Sequence, residues 1–211
     1  MTFFSIRNLC CGLALVFLAG SYGASLNIAY AEEADSSATE DIAPDIFVTD
    51  LLDELKTISL EEEADRDDQL RATLLRSMAV PQLQRYLIRG DISKAATDEQ
   101  TAAYNDLFPK YISAAIGDSI DRMVERRIDV GAVNERRPGD YIVRSKVFSD
   151  AGEERATLDW RIRDRGGMLL LIDFMVDGQS FSVERKAQFS AIVKKDGFAT
   201  LLEHMQGVID G

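Results

Sequence analysis

Few residues in this 211-residue chain have side chains suited to catalysis. Its single histidine, His204, follows Glu203 near the C-terminus, and both cysteines, Cys10 and Cys11, lie near the N-terminus. A surface position is expected for the histidine, and both cysteines fall in a segment that we expect to be cleaved. With one histidine and no remaining cysteine, Ser-His-Asp triads, Cys-His pairs and histidine-based zinc sites are effectively excluded. The sequence also lacks the glycine-rich patterns that hold nucleotide phosphates. We predict a protein that is not an enzyme and that uses no metal or cofactor.

Carboxylates are the remaining candidates for acid–base chemistry. Asp159 and Asp173 form the best pair, because they fall on two neighbouring predicted strands. Arg161 follows Asp159 on the same strand face, which favours a structural ion pair over a catalytic carboxylate.

The clustered arginines of this chain are better suited to binding an anionic group than to acid–base catalysis, since the guanidinium fork matches phosphate and carboxylate oxygens. Salt bridges to surplus acids are the simpler explanation in a chain of net charge −12. That charge disfavours nucleic acid and anionic membrane surfaces as partners. The candidates for a phosphate contact are Arg122, Arg126, Arg161 and Arg185.

The N-terminal 31 residues have the parts of a cleavable secretory signal peptide. Arg7 precedes a short apolar run, and residues 29–31 (Ala-Tyr-Ala) match a small-x-small cleavage site. A membrane anchor is the alternative, but the run is shorter than the ~20 residues of a spanning helix. Export implies the periplasm. Residues 32–44 are acidic and polar, which predicts a disordered tether, followed by one domain at 45–211.

Helical spacing of apolar residues dominates the first half of the domain. The strongest helix signal begins at Thr97 and Gln100, which form a capping box. Pro109 lies inside this helix and removes the N–H that would bond to the carbonyl of Asn105, so we expect a kink there. The helix carries one apolar stripe that includes Tyr104, Phe108, Tyr111, Ile112 and Ile116.

Residues 127–176 instead alternate apolar and polar side chains, as strands do. Turn signals at 137–140 (Arg-Pro-Gly-Asp) and 165–167 (Arg-Gly-Gly) lie between predicted strands. We predict a meander of four strands, followed by two more helices. This order predicts an α+β fold with helices packed on one face of a curved antiparallel four-stranded sheet.

Several segments resemble one known family in their order along the chain. They are 97–108 (Thr-Asp-Glu-Gln with Tyr and Phe), 158–162 (Leu-Asp-Trp-Arg-Ile), the Gly-Gly turn at 166–167, 172–181 (Ile-Asp-Phe-Met-Val-Asp-Gly-Gln-Ser-Phe) and 188–197 (Gln-Phe through Ile to Gly). This set is similar to the MlaC-like, or toluene-tolerance, family of periplasmic phospholipid-binding ABC transporter auxiliary proteins. The chain departs from the family pattern at 87–91, at Leu169, at Pro109 and at Arg185-Lys186, which indicates a divergent member.

The resemblance implies an NTF2-like cavity that holds lipid tails between sheet and helices. It also implies transport between an inner-membrane ABC transporter with an MCE-domain protein and an outer-membrane lipoprotein complex, in support of outer-membrane lipid asymmetry. The four arginines then become headgroup candidates. The expected cavity lining is Tyr104, Phe108, Tyr111, Ile112, Ile116, Tyr141, Val143, Trp160, Ile172 and Phe174.

Alternatives remain open at this point. The apolar pattern alone favours an ordinary filled core, as in a structural adaptor, whereas the resemblance favours a hollow one. A small-molecule-binding NTF2-like enzyme would need an acid or base inside the cavity. Hopanoid-related lipid transport is a variant within the family.

Overall fold

The computed structural model describes residues 42–60, 63–124 and 126–211. The predicted signal peptide and residues 32–41 of the predicted tether lie outside the described residues. The described elements are, in order, α1 (Pro44–Ser59), α2 (Glu63–Ser77), α3 (Val80–Leu87), α4 (Asp91–Lys94), α5 (Asp98–Val124), β1 (Arg127–Arg137), β2 (Asp140–Phe148), β3 (Glu154–Asp164), β4 (Leu169–Val176), β5 (Gln179–Ser180), α6 (Phe181–Asp196) and α7 (Phe198–Asp210).

The start of α5 follows the capping signal in the sequence. The backbone N–H of Thr97 donates to Gln100 Oε1 at 3.0 Å, and the N–H of Gln100 donates to Thr97 Oγ1 at 3.2 Å. Two of the donors that a helix start leaves without backbone acceptors are thus satisfied, and the predicted capping box is confirmed.

Helix α5 continues through Pro109 instead of ending there. Proline cannot donate to the carbonyl of Asn105, and a side chain from α3 takes over this role. Gln84 Nε2 donates to the Asn105 carbonyl oxygen at 3.2 Å and to its side-chain oxygen at 2.9 Å. The buried Tyr104 hydroxyl in turn donates to the Gln84 carbonyl at 2.9 Å. The backbone defect in α5 is therefore compensated by its contact with α3.

The five strands form one antiparallel sheet in the order β1–β2–β3–β4–β5. The α+β prediction is confirmed, but the predicted number of four strands is corrected to five. Two residues are too few to show an alternating pattern, although the Asp177-Gly178 pair before β5 is a hairpin signal in the sequence. Strand β5 follows a two-residue turn at Asp177 and Gly178, whose φ values of 49° and 81° are those of a type I′ hairpin.

The helices bury the apolar face of the sheet. Helix α1 lies against β1 and β2, helices α2, α3 and α6 lie against β4, and α5 packs on α7. The buried sheet residues that face this helical layer include Val143, Leu158, Trp160 and Ile162. In the described ranges, no helix is both long enough and apolar enough to cross a membrane.

Candidate functional site

An apolar cavity of about 260 Å³ lies between helices α1, α2 and α5 and strands β2, β3 and β4. Arg126 and Thr157 are the only lining residues with polar side-chain groups besides the indole of Trp160. A wall of this composition gives water too few partners, so it suits hydrocarbon. The apolar wall consists of Leu51, Leu55, Leu74, Met78 and Ile116 from the helices and Val147, Ala156, Leu158, Trp160, Leu171, Phe174 and Val176 from the sheet.

The strand residues explain why this part of the interior is hollow. Ala156, Leu158 and Trp160 alternate along β3 and point toward the helices. Ala156 pairs across the sheet with Val147, so small side chains form one end of the wall. The Trp160 indole N–H donates to the buried Ser145 Oγ at 3.0 Å, which holds the ring beside the sheet. The space in front of these small side chains is left unfilled.

The cavity opens toward solvent near the start of β1 and the end of β4. Arg126 is exposed there, and Val176 is 46% exposed. Arg127, the next residue, pairs with Asp129 at 3.5 Å and lies 4.0 Å from the centroid of the Phe148 ring. Arg126 has no such partner among the residues that the structure describes. Within the described part of the chain, the guanidinium of Arg126 thus lies at the mouth of the apolar cavity without an ion-pair partner.

Three of the residues predicted to line a cavity do line this one, namely Ile116, Trp160 and Phe174. They come from a helix and from two strands that are distant in the sequence. The pattern of α5 and the alternation of the strands were sufficient to place them on facing surfaces.

The other predicted residues of α5 lie outside the apolar cavity. Tyr104, Phe108 and Tyr111 belong to a cluster of aromatic rings, Tyr111 also lines a separate pocket between helices, and Ile112 is buried in the core. Tyr104 lies 5.5 Å from Phe108 and 6.1 Å from Phe198, and Tyr111 lies 5.5 Å from Phe189, measured between ring centroids. Helices α6 and α7 supply the covering rings, and the periodicity of α5 cannot show which part of its stripe they cover. Tyr104, Phe108, Tyr111 and Ile112, which were expected to line a cavity, are thus absent from the wall of the apolar one.

The remaining predicted lining residues also lie elsewhere. Val143 is buried in β2 outside the cavity wall, and Tyr141 lines a separate pocket beside the start of α1. Ile172 has no partner across the β3–β4 ladder, because the register shifts there by one residue. Such a bulge turns side chains to the other face of the sheet. Ile172 accordingly lines a polar groove with Arg161 and Asp173.

Arg161 belongs to a structural cluster around the buried Asp140. It donates to both carboxylate oxygens of Asp140, at 3.1 and 2.9 Å. Arg137 and Arg163 donate to the same carboxylate at 3.1 and 2.8 Å. The hydrogen bond from Arg161, and then the charges of Arg161 and Arg163, hold the pKa of Asp140 well below its ordinary value, although burial opposes this. The sequence marked Asp140 only as a turn residue, since two of its three partners come from β3.

The other headgroup candidates are separated in the structure. The side chain of Arg122 lies outside the described residues. Arg185 lines a different pocket between helices. Of the candidates whose side chains are described, only Arg126 adjoins the apolar cavity.

Both candidate catalytic carboxylates make structural contacts. Asp173 accepts hydrogen bonds from Ser180 Oγ at 2.6 Å, from Ser182 Oγ at 2.9 Å and from two backbone N–H groups at 3.0 Å, which fixes the start of α6. Asp159 pairs with Arg144 at 3.2 Å, whereas Arg161 pairs with Asp140, so Asp159 makes a structural ion pair across the sheet and not along its own strand. Within the described ranges, no group of three or more histidine, cysteine or acidic side chains is arranged to hold a metal ion.

Comparison with known proteins gives a family and a similar fold. The family model described as MlaC protein matches residues 46–207. A phospholipid-binding protein from Ralstonia solanacearum, solved in complex with a phospholipid, has a similar fold: the TM-score is 0.59 at 18% identity, over 78% of this chain and 95% of that one. A search of curated proteins found no match. Because the family model spans most of the described domain, the chain belongs to the MlaC protein family.

Proposed function

We propose that the protein is a periplasmic lipid carrier that buries phospholipid acyl chains in the apolar cavity. The observation that carries this proposal is the cavity itself, a hollow with hydrocarbon walls between helices and sheet. The family and the phospholipid-bound structure of similar fold support the same ligand class. Binding of this kind needs no covalent chemistry and no catalytic residue.

The volume sets how much of a lipid fits. A methylene occupies roughly the ~30 Å³ of a liquid water molecule, so 260 Å³ holds about nine methylenes. Their burial is worth about 7 kcal/mol at ~0.8 kcal/mol each. A diacyl phospholipid has roughly 30 methylenes, whose full exposure to water costs on the order of 20 kcal/mol. Two complete chains would therefore require the helices to move away from the sheet.

Arg126 is the residue that we propose to meet the headgroup. It stands at the mouth, so a phosphate could reach it while the tails enter the cavity. A guanidinium that has no carboxylate partner in the described ranges suits the oxygens of a phosphate. The contact would orient the lipid more than hold it, because exposed ion pairs contribute only about 0–1 kcal/mol.

Shuttling between membranes completes the proposal. The signal-like N-terminus would direct the chain to the periplasm. Its net charge of −12 would keep it from adhering to anionic bilayers, so loading and release would need docking partners. By family likeness these are an inner-membrane MCE-domain ABC transporter and an outer-membrane lipoprotein complex.

Native mass spectrometry of gently purified protein tests lipid binding. We expect the protein with a phospholipid mass added, and lipid that exchanges into phosphatidylglycerol vesicles. Protein that stays empty, and that takes up no lipid from such vesicles, would contradict the proposal.

The Arg126 contact needs its own variant pair. Arg126→Glu should weaken phospholipid binding about fivefold, equivalent to ~1 kcal/mol. Arg136→Glu makes the same charge change on an exposed residue near the opposite end of β1 and should leave binding unchanged. Equal effects of the two variants would reduce Arg126 to a contribution of net charge.

A further inference from the structure

A second pocket, of about 580 Å³, lies between helices α2, α5, α6 and α7. Leu74 lines both this pocket and the apolar cavity and so lies between them. The second pocket has polar groups from Arg71, Tyr111, Arg185 and His204, opposite aliphatic side chains. Its volume lies within the ~300–1,000 Å³ typical of small-molecule sites.

Two residues that line this pocket each carry a buried donor with no acceptor in the described part of the chain. Tyr111 is fully buried, and its hydroxyl has no hydrogen-bond partner. The Nε of Arg185 is likewise buried and unpaired. Burial raises the pKa of Tyr111. The charge of Arg185, and the close approach of its guanidinium to the hydroxyl oxygen, oppose this rise without cancelling it, so the phenol O–H stays a donor at neutral pH. A buried donor without an acceptor destabilises the protein, and an incoming acceptor would remove that cost.

Arg185 is held in place by uncharged neighbours. Its Nη1 donates to Gln188 Oε1 at 2.6 Å, and its guanidinium carbon lies 5.3 Å from the centroid of the Phe181 ring. The amide nitrogen of Gln188 lies 3.2 Å from His204 Nε2, which fixes the orientation of the amide. Within the described ranges, no carboxylate lies at ion-pair distance from Arg185.

We propose that this pocket is a second binding site, which takes an oxyanion, a carboxylate or a phosphate, at Tyr111 and Arg185. Two donors without acceptors, one of them cationic, select a ligand that is an acceptor and negatively charged. The aliphatic wall, which includes Leu70, Val208 and Ile209, would hold a short apolar body attached to that group. The oxyanion can belong to a single-chain lipid or to a small free anion. This site does not depend on whether the apolar cavity carries phospholipid.

The test uses isothermal titration calorimetry of delipidated protein with decanoate, acetate, inorganic phosphate and decanol. We expect decanoate to bind, and Tyr111→Phe and Arg185→Gln each to weaken its binding at least about tenfold, as expected for a lost hydrogen bond to a charged group. Decanol, which lacks the anion, should be insensitive to both substitutions. Binding of acetate or phosphate with the same sensitivity would assign the site to free anions, and their failure to bind would assign it to an anionic lipid.

A matched pair of variants separates ligand binding from folding. Tyr104→Phe makes the same change on the same helix but removes a hydroxyl that donates to the Gln84 carbonyl. It should lower stability and leave decanoate binding unchanged, whereas Tyr111→Phe should leave the stability of the ligand-free protein unchanged or raise it. The proposal is overturned if no anion binds, or if decanoate affinity is the same in wild type, Tyr111→Phe and Arg185→Gln.

Discussion

Replacing Ala156 with leucine fills part of the apolar cavity from its sheet wall. Ala156 lines the cavity beside Leu158, so the added carbons would enter existing space. Three more buried carbons at ~0.8 kcal/mol each would stabilise the lipid-free fold by up to about 2.4 kcal/mol. They also displace about three of the nine methylenes that the cavity accepts, so lipid binding should weaken by a similar free energy, or roughly 50-fold.

Two assays read the opposite effects of this substitution. Urea unfolding of delipidated protein should show a higher midpoint, and vesicle exchange should show weaker phospholipid binding. Ala132→Leu adds the same carbons to an exposed position on β1 and should alter neither quantity. If Ala156→Leu bound lipid as tightly as wild type while still folding, the acyl chains would not occupy this cavity, and the argument from its walls would fail.

Three further outcomes follow from named contacts. Gln84→Ala should destabilise the fold by about 1–2 kcal/mol in urea unfolding, because the Asn105 carbonyl loses its donor. Adding Pro109→Ala restores a backbone N–H to α5 and should recover most of this loss. If the double variant shows no recovery, the Asn105 carbonyl has another donor. Asp140→Asn should cost about 2–3 kcal/mol at neutral pH. Because the folded pKa of Asp140 is lowered, its wild-type contribution should be complete above its unfolded pKa of ~3.9 and decline as the pH falls through the folded value, a decline that the variant should lack. Trp160, the only tryptophan, lines the cavity, so phospholipid with brominated chains should quench its fluorescence more than unbrominated lipid, and equal emission would place the tails elsewhere.

Local signals in the sequence predicted the elements well. The capping box before α5, the turns at 137–140 and 165–167 and the alternation of the strands all depend on residues close together in the chain. Strand β5 was missed because its two residues are too few to show an alternating pattern, although the Asp177-Gly178 turn before it is a hairpin signal. The bulge at Ile172 was missed for a related reason, since a one-residue register shift leaves no mark on an apolar run.

The site was predicted only in part. Ile116, Trp160 and Phe174 line the cavity as expected, because each lies on the apolar face of its own element. Tyr104 and Phe108 lie on an equally apolar face but meet rings from the last two helices. Periodicity identifies the face that turns inward, and it carries no information on what fills the space opposite.

Local spacing and short ordered motifs in the sequence were sufficient to predict the α+β order of elements and to show the family resemblance. The tertiary structure alone decided where the interior is hollow and where it is solid. A cavity is a property of distances between side chains far apart in the chain. Here small residues such as Ala156 face α1 and α2 across open space, while Phe189 and Phe198 close the neighbouring region.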